Sequence, residues 1–431
     1  MRRIGILTSG LMAWAGGIDF LRMVVDALRV SAPSDSDLVL LVPRMRLRSR
    51  LKFLVVPCLR WLRGRHGHRG LQQLRESYRE QTALSPRWQY EKLREALGNT
   101  VPAAFYFGDE ELRTVVRRHE LTCLLPAISP LSDTFPAPWI GYLFDFQHRY
   151  LPDLFTDAER LARDRNFAAM ARSARYVIVN SEQVMADCLR FLHGQADFVA
   201  LPFGAAPRPE WLADDSGLLA KYNLPDRYFL VANQFWTHKN LRLVFEALRL
   251  LAEEPTFRGV QVVCTGSTMD VRDRKYFPSL VQLIHEEGLR ERVRILGLIP
   301  KRTQIEVMKK AIAVVQPTFF EGGPGGGAVY DAVSLGVPAL VSDIPVNREL
   351  EKYVSSVRFF DPKDAEGLAR LMSEMAKEPL RARPDRQVLL DQALRRRQAI
   401  GEVLWKTIQS GIAAHLPGSP GAHSSISVSR S

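Results

Sequence analysis

No run of 18 or more consecutive apolar residues occurs in the chain, so no membrane-spanning helix is predicted. The start, MRRIGILTSG, lacks the long apolar segment of a secretory signal, and a cytoplasmic protein is expected. Cysteine is scarce. The four residues, Cys58, Cys123, Cys188 and Cys264, show no Cys-x-x-Cys spacing. That argues against a metal site and for free thiols in a reducing compartment. Acids are missing from Leu38 to Arg75, a span that holds ten Lys and Arg residues.

That span gives the net charge of +12 a direction. An excess of this size fits nucleic acid, an anionic membrane surface or a phosphorylated substrate. Within residues 44–69, arginines flank an apolar patch that includes Leu51, Phe53, Leu54, Val55, Val56, Leu59, Trp61 and Leu62. This reads as an interfacial element, with apolar side chains in the bilayer edge and arginines at lipid phosphates. A solvated basic helix followed by a core strand is the bland alternative. Only Phe53 and Trp61 interleave aromatics with the basic residues, and no nucleic-acid-binding module is present, so nucleic acid is not an expected partner.

What is present is ordinary in composition and long enough for two domains. The 431 residues are 46% hydrophobic and 25% charged. In the first half RIGILTSG, SDLVLLVP, LTCLLPA, WIGYLFD and RYVIVNS are apolar runs between helical stretches. Ile18, Leu21, Val25 and Leu28 recur at helical spacing just after Gly16 and Gly17. LPFGAAPRPE, near residue 202, is rich in proline and glycine and reads as a linker. The pattern then restarts with YFLVANQ, VQVVCTG, RVRILGL, AIAVVQP and VPALVSD. Thr303 and Glu306 have capping-box spacing at the start of a helix. Alternating strands and helices predict two consecutive parallel α/β sheets, domains 1–205 and 206–416, with a small, polar, disordered tail over 417–431.

The densest signal is FFEGGPGGGAVYDAVSLGVP, residues 319–338. A strand exit ends in Glu321, a glycine loop follows, and a short helix carrying Asp331 is placed to end at Gly336. Open α/β sheets bind ligands at this crevice. Glycines let the backbone approach a ligand, and free N–H groups at a helix start attract phosphate. Two carboxylates beside an anion site suit hydroxyls, as on a sugar and a ribose. The loop therefore predicts a sugar–diphosphate–nucleoside, with its charged middle on the backbone of Gly323, Gly325, Gly326 and Gly327. Gly323-x-Gly325-x-x-Ala328, with Asp343 about 20 residues on, also fits a relaxed dinucleotide fingerprint. An NAD-dependent oxidoreductase is thus an alternative, opposed by Pro324 in the turn and by the late position of the unit in its domain.

NQFWTHKNLRLVFEAL, VVCTGS, RVRILGLIPKRTQIEVMKKA and EGGPGGGAVYDAVSLGVPALVSDIPVNREL together resemble glycosyltransferase family 4. Gly16-Gly17 and FDFQHRYLPDLFTDAE resemble that family's amino-terminal pattern. The resemblance implies a GT-B fold, two Rossmann-like domains facing each other across a cleft. It implies retaining transfer of a hexose, mannose among the options, from a nucleotide-diphosphate sugar, with no bound metal and no cofactor. Glu321 would hold donor-sugar hydroxyls, Asp331 the ribose and Lys239 the diphosphate. Relatives usually carry two glutamates about eight positions apart and an arginine five positions before the lysine; here the second acid is Asp331 and the arginine position holds Gln234. His148 would orient the acceptor or touch the donor sugar, since Phe144 stands where relatives place a histidine; a turn-capping role is the alternative. Gly16 and Gly17 would approach the diphosphate or the acceptor from the opposite wall. Asn233, Gln234, Thr265, Gly266, Ser267, Leu298 and Ile299 would face the donor. The expected acceptor is a saccharide or lipid-linked saccharide of surface polysaccharide synthesis, met at the inner face of a membrane. A catalytically silent nucleotide-sugar binder is the alternative of a different class.

Overall fold

The structure, a computed structural model, describes residues 2–44, 86–132, 134–270, 272–379 and 382–415. The basic, apolar element expected at 44–69, apart from Arg44, and the tail expected at 417–431 lie outside these residues, as does Cys58. No helix among the described residues is long and apolar enough to cross a membrane.

Two parallel sheets form as the sequence predicts. The first holds β1 (Arg2–Leu7), β2 (Ser36–Pro43), β3 (Ala103–Tyr106), β4 (Cys123–Ala127), β5 (Trp139–Leu143), β6 (Tyr176–Val179) and β7 (Asp197–Ala200), in the order β3-β2-β1-β4-β5-β6-β7. The second holds β8 (Arg227–Ala232), β9 (Val260–Thr265), β10 (Val293–Gly297), β11 (Val314–Gln316), β12 (Ala339–Ser342) and β13 (Val357–Phe360), in the order β10-β9-β8-β11-β12-β13. Helices cover both faces, so central strands such as β4, β5 and β6 are apolar throughout and buried along their length. In each sheet the strand order reverses beside its first strand, between β1 and β4 and between β8 and β11. A crevice opens at the carboxyl ends of the strands at such a point. Gly16 opens the helix that follows β1, and the segments after β8 and β11 carry Lys239 and Glu321.

Two expectations are corrected. The helix Lys301–Lys310 starts ahead of Thr303, and no cap hydrogen bond forms there. Glu306 instead meets buried Lys309 at 2.5 Å. The second correction concerns the domain boundary. The long helix Arg386–His415 leaves the second domain and packs on the first. Ile400, Leu404, Trp405 and Ile408 join the first-domain core. Gly401 is where this helix crosses Ala15–Ser31; a Cβ there would stand 2.3 Å from the Ala27 carbonyl oxygen. The first domain is thus built from both ends of the chain.

Candidate active site

A cleft of about 330 Å³ opens between the two domains. Its floor is the start of the helix Gly326–Ser334. Gly325 caps this helix at φ +75°, and Gly326 follows at φ +64°, left-handed conformations that cost a side chain about 1–2 kcal/mol. Asn347 pins the turn: its Oδ1 accepts from Gly325 N at 2.7 Å and its Nδ2 donates to Ser342 O at 2.8 Å. The amides of a first helical turn have no acceptor within the helix. Gly326 N reaches Gly323 O at 3.2 Å, which leaves those of Gly327 and Ala328; Gly327 lines the cleft.

Glu321 reaches this helix start from the exit of β11. Its Oε1 accepts from Lys239 Nζ at 2.5 Å and from Gln316 Nε2 at 2.7 Å. Gln316 in turn accepts from Asn233 Nδ2. A Cβ on Gly326 would sit 2.8 Å from the Glu321 carboxylate, so this glycine makes room for the acid. Asp331 lines the cleft further along the helix and accepts from Lys301 Nζ. Burial raises the Asp331 pKa, and Lys301 opposes that shift.

The cleft therefore joins Gly16, Lys239, Glu321, Gly323, Gly326, Gly327 and Asp331, which the sequence singled out. Other expected residues lie outside the lining of the cleft. Gly17 is packed against the Leu11 carbonyl, where a Cβ would come within 2.1 Å. Gln234 Oε1 accepts from Ser267 N at 2.8 Å, so this amide is engaged at the exit of β9. Gly266 lets β9 approach the Asn233 carbonyl, which a Cβ would meet at 2.0 Å. Thr265 accepts from Gln304 Nε2 at 2.9 Å, Ile299 packs at the edge of the second-domain core, and Leu298 is exposed. Gly325 acts through its turn. His148 does not reach the cleft: it is 1% exposed, and its Nε2–H donates to Asp164 Oδ1 at 2.9 Å among the rings of Phe146, Phe155 and Phe167. Burial lowers its pKa.

Sequence reasoning missed the first-domain wall. Asp19 and Arg22, on the helix Ala15–Ser31, line the cleft with Trp14, Tyr142, Phe144, Asp145, Gln147 and Asn180. Tyr142 Oη donates to Asn180 Oδ1 at 2.9 Å, and Asn180 Nδ2 to Phe144 O at 3.2 Å, which fixes this wall. Across from it, His238 and Trp236 precede Lys239. His238 is buried and its carbonyl accepts from Phe319 N at 2.8 Å, tying the β8 loop to the β11 exit. Desolvation, with Lys239 and Arg272 nearby, pushes its pKa down to about 2.

Two facing Rossmann-like domains with a cleft over a glycine-started helix are the GT-B architecture. Residues 220–392 match the family of glycosyl transferases group 1. The match lies over the domain that carries Lys239, Glu321 and Asp331, and with the fold it makes the chain an enzyme of the glycosyltransferase class. Similar solved structures include sucrose-phosphate synthase from Thermosynechococcus elongatus, at 16% identity and TM-score 0.58, covering 96% of this chain and 100% of that one. HepE from Anabaena in complex with UDP is 13% identical at TM-score 0.55, covering 95% and 100%. Trehalose 6-phosphate synthase from Burkholderia multivorans is 14% identical at TM-score 0.53, covering 96% and 97%. No curated relative matches the chain.

Proposed function

We propose that the protein is a retaining glycosyltransferase of family 4, moving a hexose from a nucleotide-diphosphate sugar to a saccharide or lipid-linked acceptor without a metal ion. The observation that carries this is the Lys239–Glu321 pair, 2.5 Å apart, at the amino end of a glycine-started helix in the interdomain cleft. In this reading the amides of that helix and Lys239 take the charge that develops on the departing diphosphate, the largest kind of catalytic term. Glu321 holds donor hydroxyls and Asp331 the ribose. The acceptor oxygen attacks the anomeric carbon as its bond to the phosphate oxygen breaks. The acceptor's proton passes to that phosphate oxygen, so no separate strong base is needed. His148 serves this site from behind, by packing.

The dinucleotide reading loses support because Asp343, its ribose acid, holds Arg348 in a two-pronged pair at 2.5 Å. HepE, a structural relative, is named as bound to UDP, which favours a nucleoside diphosphate ligand here. The basic, apolar stretch at 44–69 would bring a lipid-linked acceptor to the enzyme at a cytoplasmic membrane surface. The test is a panel of sugar nucleotides, read by thermal shift and then by transfer with EDTA present. Stabilisation by at least one donor and transfer that survives EDTA are expected. Donor binding without transfer or hydrolysis on any acceptor would instead mark a silent binder. Flotation with vesicles containing phosphatidylserine tests the membrane contact.

A further inference from the structure

We infer that Arg22 is the second cation of the site and binds the phosphate next to the ribose of a nucleoside diphosphate. This rests on the donor reading above and names the group that supplies its missing positive charge. Four carboxylates line the cleft, those of Asp19, Asp145, Glu321 and Asp331, against two basic side chains among the described lining residues, Lys239 and Arg22. An anion enters a wall so balanced only where donors remain unspent. Lys239 is engaged by Glu321, and Gln234 is turned away to Ser267.

Arg22 is the group with donors to spare. Its Nη1 stands 3.6 Å from Asp26, beyond a good hydrogen bond, and Arg397 approaches the same carboxylate at 3.8 Å. Its Nε is buried without a partner. The guanidinium lies 6.0 Å from the Trp211 ring, whose other neighbours include Arg208 at 5.4 Å, so the fork rests beside an aromatic face with one loose carboxylate contact. A planar fork fixed in this way suits a phosphate.

Its place along the cleft selects the phosphate. Arg22 follows Asp19 by one helical turn on the first-domain wall, and it shares the Trp211 ring with Lys301, at 5.6 Å, the lysine that holds Asp331. Asp331 is the ribose acid of the donor reading. Lys239 stands with Glu321 at the amino start of the helix Gly326–Ser334, whereas Asp331 lies in its body. The two cations are therefore divided between the two ends of the diphosphate.

Calorimetric titration of the full-length protein with uridine, UMP and UDP, with guanosine, GMP and GDP, and with glucose 6-phosphate reads this division. For whichever base binds, Arg22→Gln weakens the mono- and diphosphate about tenfold or more and leaves the nucleoside unchanged, as for loss of a charged hydrogen bond. Lys239→Ala weakens the diphosphate alone. Arg22→Lys, which keeps the charge but not the fork, falls between wild type and Arg22→Gln. Equal diphosphate affinity in wild type and Arg22→Gln overturns the inference and leaves the donor reading standing. So does an equal loss for nucleoside and diphosphate, which would make Arg22 a prop of the wall. A loss confined to glucose 6-phosphate would place the group on a phosphorylated acceptor and overturn it too. Wild-type protein that binds neither these series nor ADP, CDP or dTDP defeats the donor reading itself.

Discussion

At the scale of single residues, the proposed chemistry turns on the Lys239–Glu321 pair, and a pH dependence of stability is expected from His238. Lys239→Ala and Glu321→Ala are each expected to lower transfer by about 10²–10³ or more, the cost of one stabilising contact at a developing charge, with unchanged circular dichroism. Near-wild-type turnover in both would remove them from the mechanism. His238 is held neutral far below its ordinary pKa by burial and two cations. A depressed folded-state pKa gives stability that is complete above the unfolded value of about 6.5 and is lost as pH falls toward the folded one. From pH 7 to 5.5 the wild type should therefore lose about 1 kcal/mol more than His238→Gln in urea unfolding. Parallel losses would show that the imidazole does not titrate on unfolding. Glu321, Asp331 and the glycines were legible because they lie in one contiguous stretch whose residue types have few uses. Arg22, Tyr142 and Asn180 were not, because the fold gathers them from separate elements. His148 misled for a related reason: a sequence does not say which way a side chain on a short helix turns, and here it turns inward to Asp164.

At the scale of elements, the start of the helix Gly326–Ser334 is a fitted part. Gly326→Ala puts a Cβ 2.8 Å from the Glu321 carboxylate on backbone at φ +64°. A stability loss of about 1–2 kcal/mol is expected from the backbone alone. Transfer should fall further than stability, because the acid is displaced. Thermal melts and initial rates on the same preparation separate the two, and a rate loss no larger than the melt implies would mean that Glu321 tolerates the shift. Most strands were readable from apolar runs. β3 (AAFY), β7 (DFVA) and β13 (VRFF) escaped because a four-residue segment is too short for a period to declare itself. The false capping box at Thr303 shows the same limit. Its spacing was right, but Lys301 and Arg302 had already begun the helix.

At the scale of the whole molecule, the domains are joined by more than a linker. Glu349 of the second domain accepts from the backbone N of Glu182 and Gln183 in the first, at 3.1 and 2.8 Å, at the start of the helix Glu182–Phe191. Lys352 reaches Glu182 at 2.5 Å beside it. On the far side, Trp405 of the final helix is buried in the first-domain core, and its Nε1–H donates to Leu28 O at 3.3 Å. Trp405→Ala should cost about 3–5 kcal/mol. Hydrogen exchange should then speed up in residues 15–31 and stay slow in β8 and β11. Uniform acceleration across both domains would show that they unfold as one unit. This return was not legible, since helical periodicity over 386–415 announces a helix and is silent on which surface receives it.

The chain thus passes between the halves of the molecule twice, after β7 and again between residues 377 and 386. A double covalent tether behaves like a door hung on two pins. Swinging about the line through both is cheap, whereas twisting or sliding is resisted by the chain itself. Opening of the cleft about that line is the motion that the two tethers resist least. A dye placed at His415 would report the motion of the half that begins the sequence, although it follows the other half in the chain.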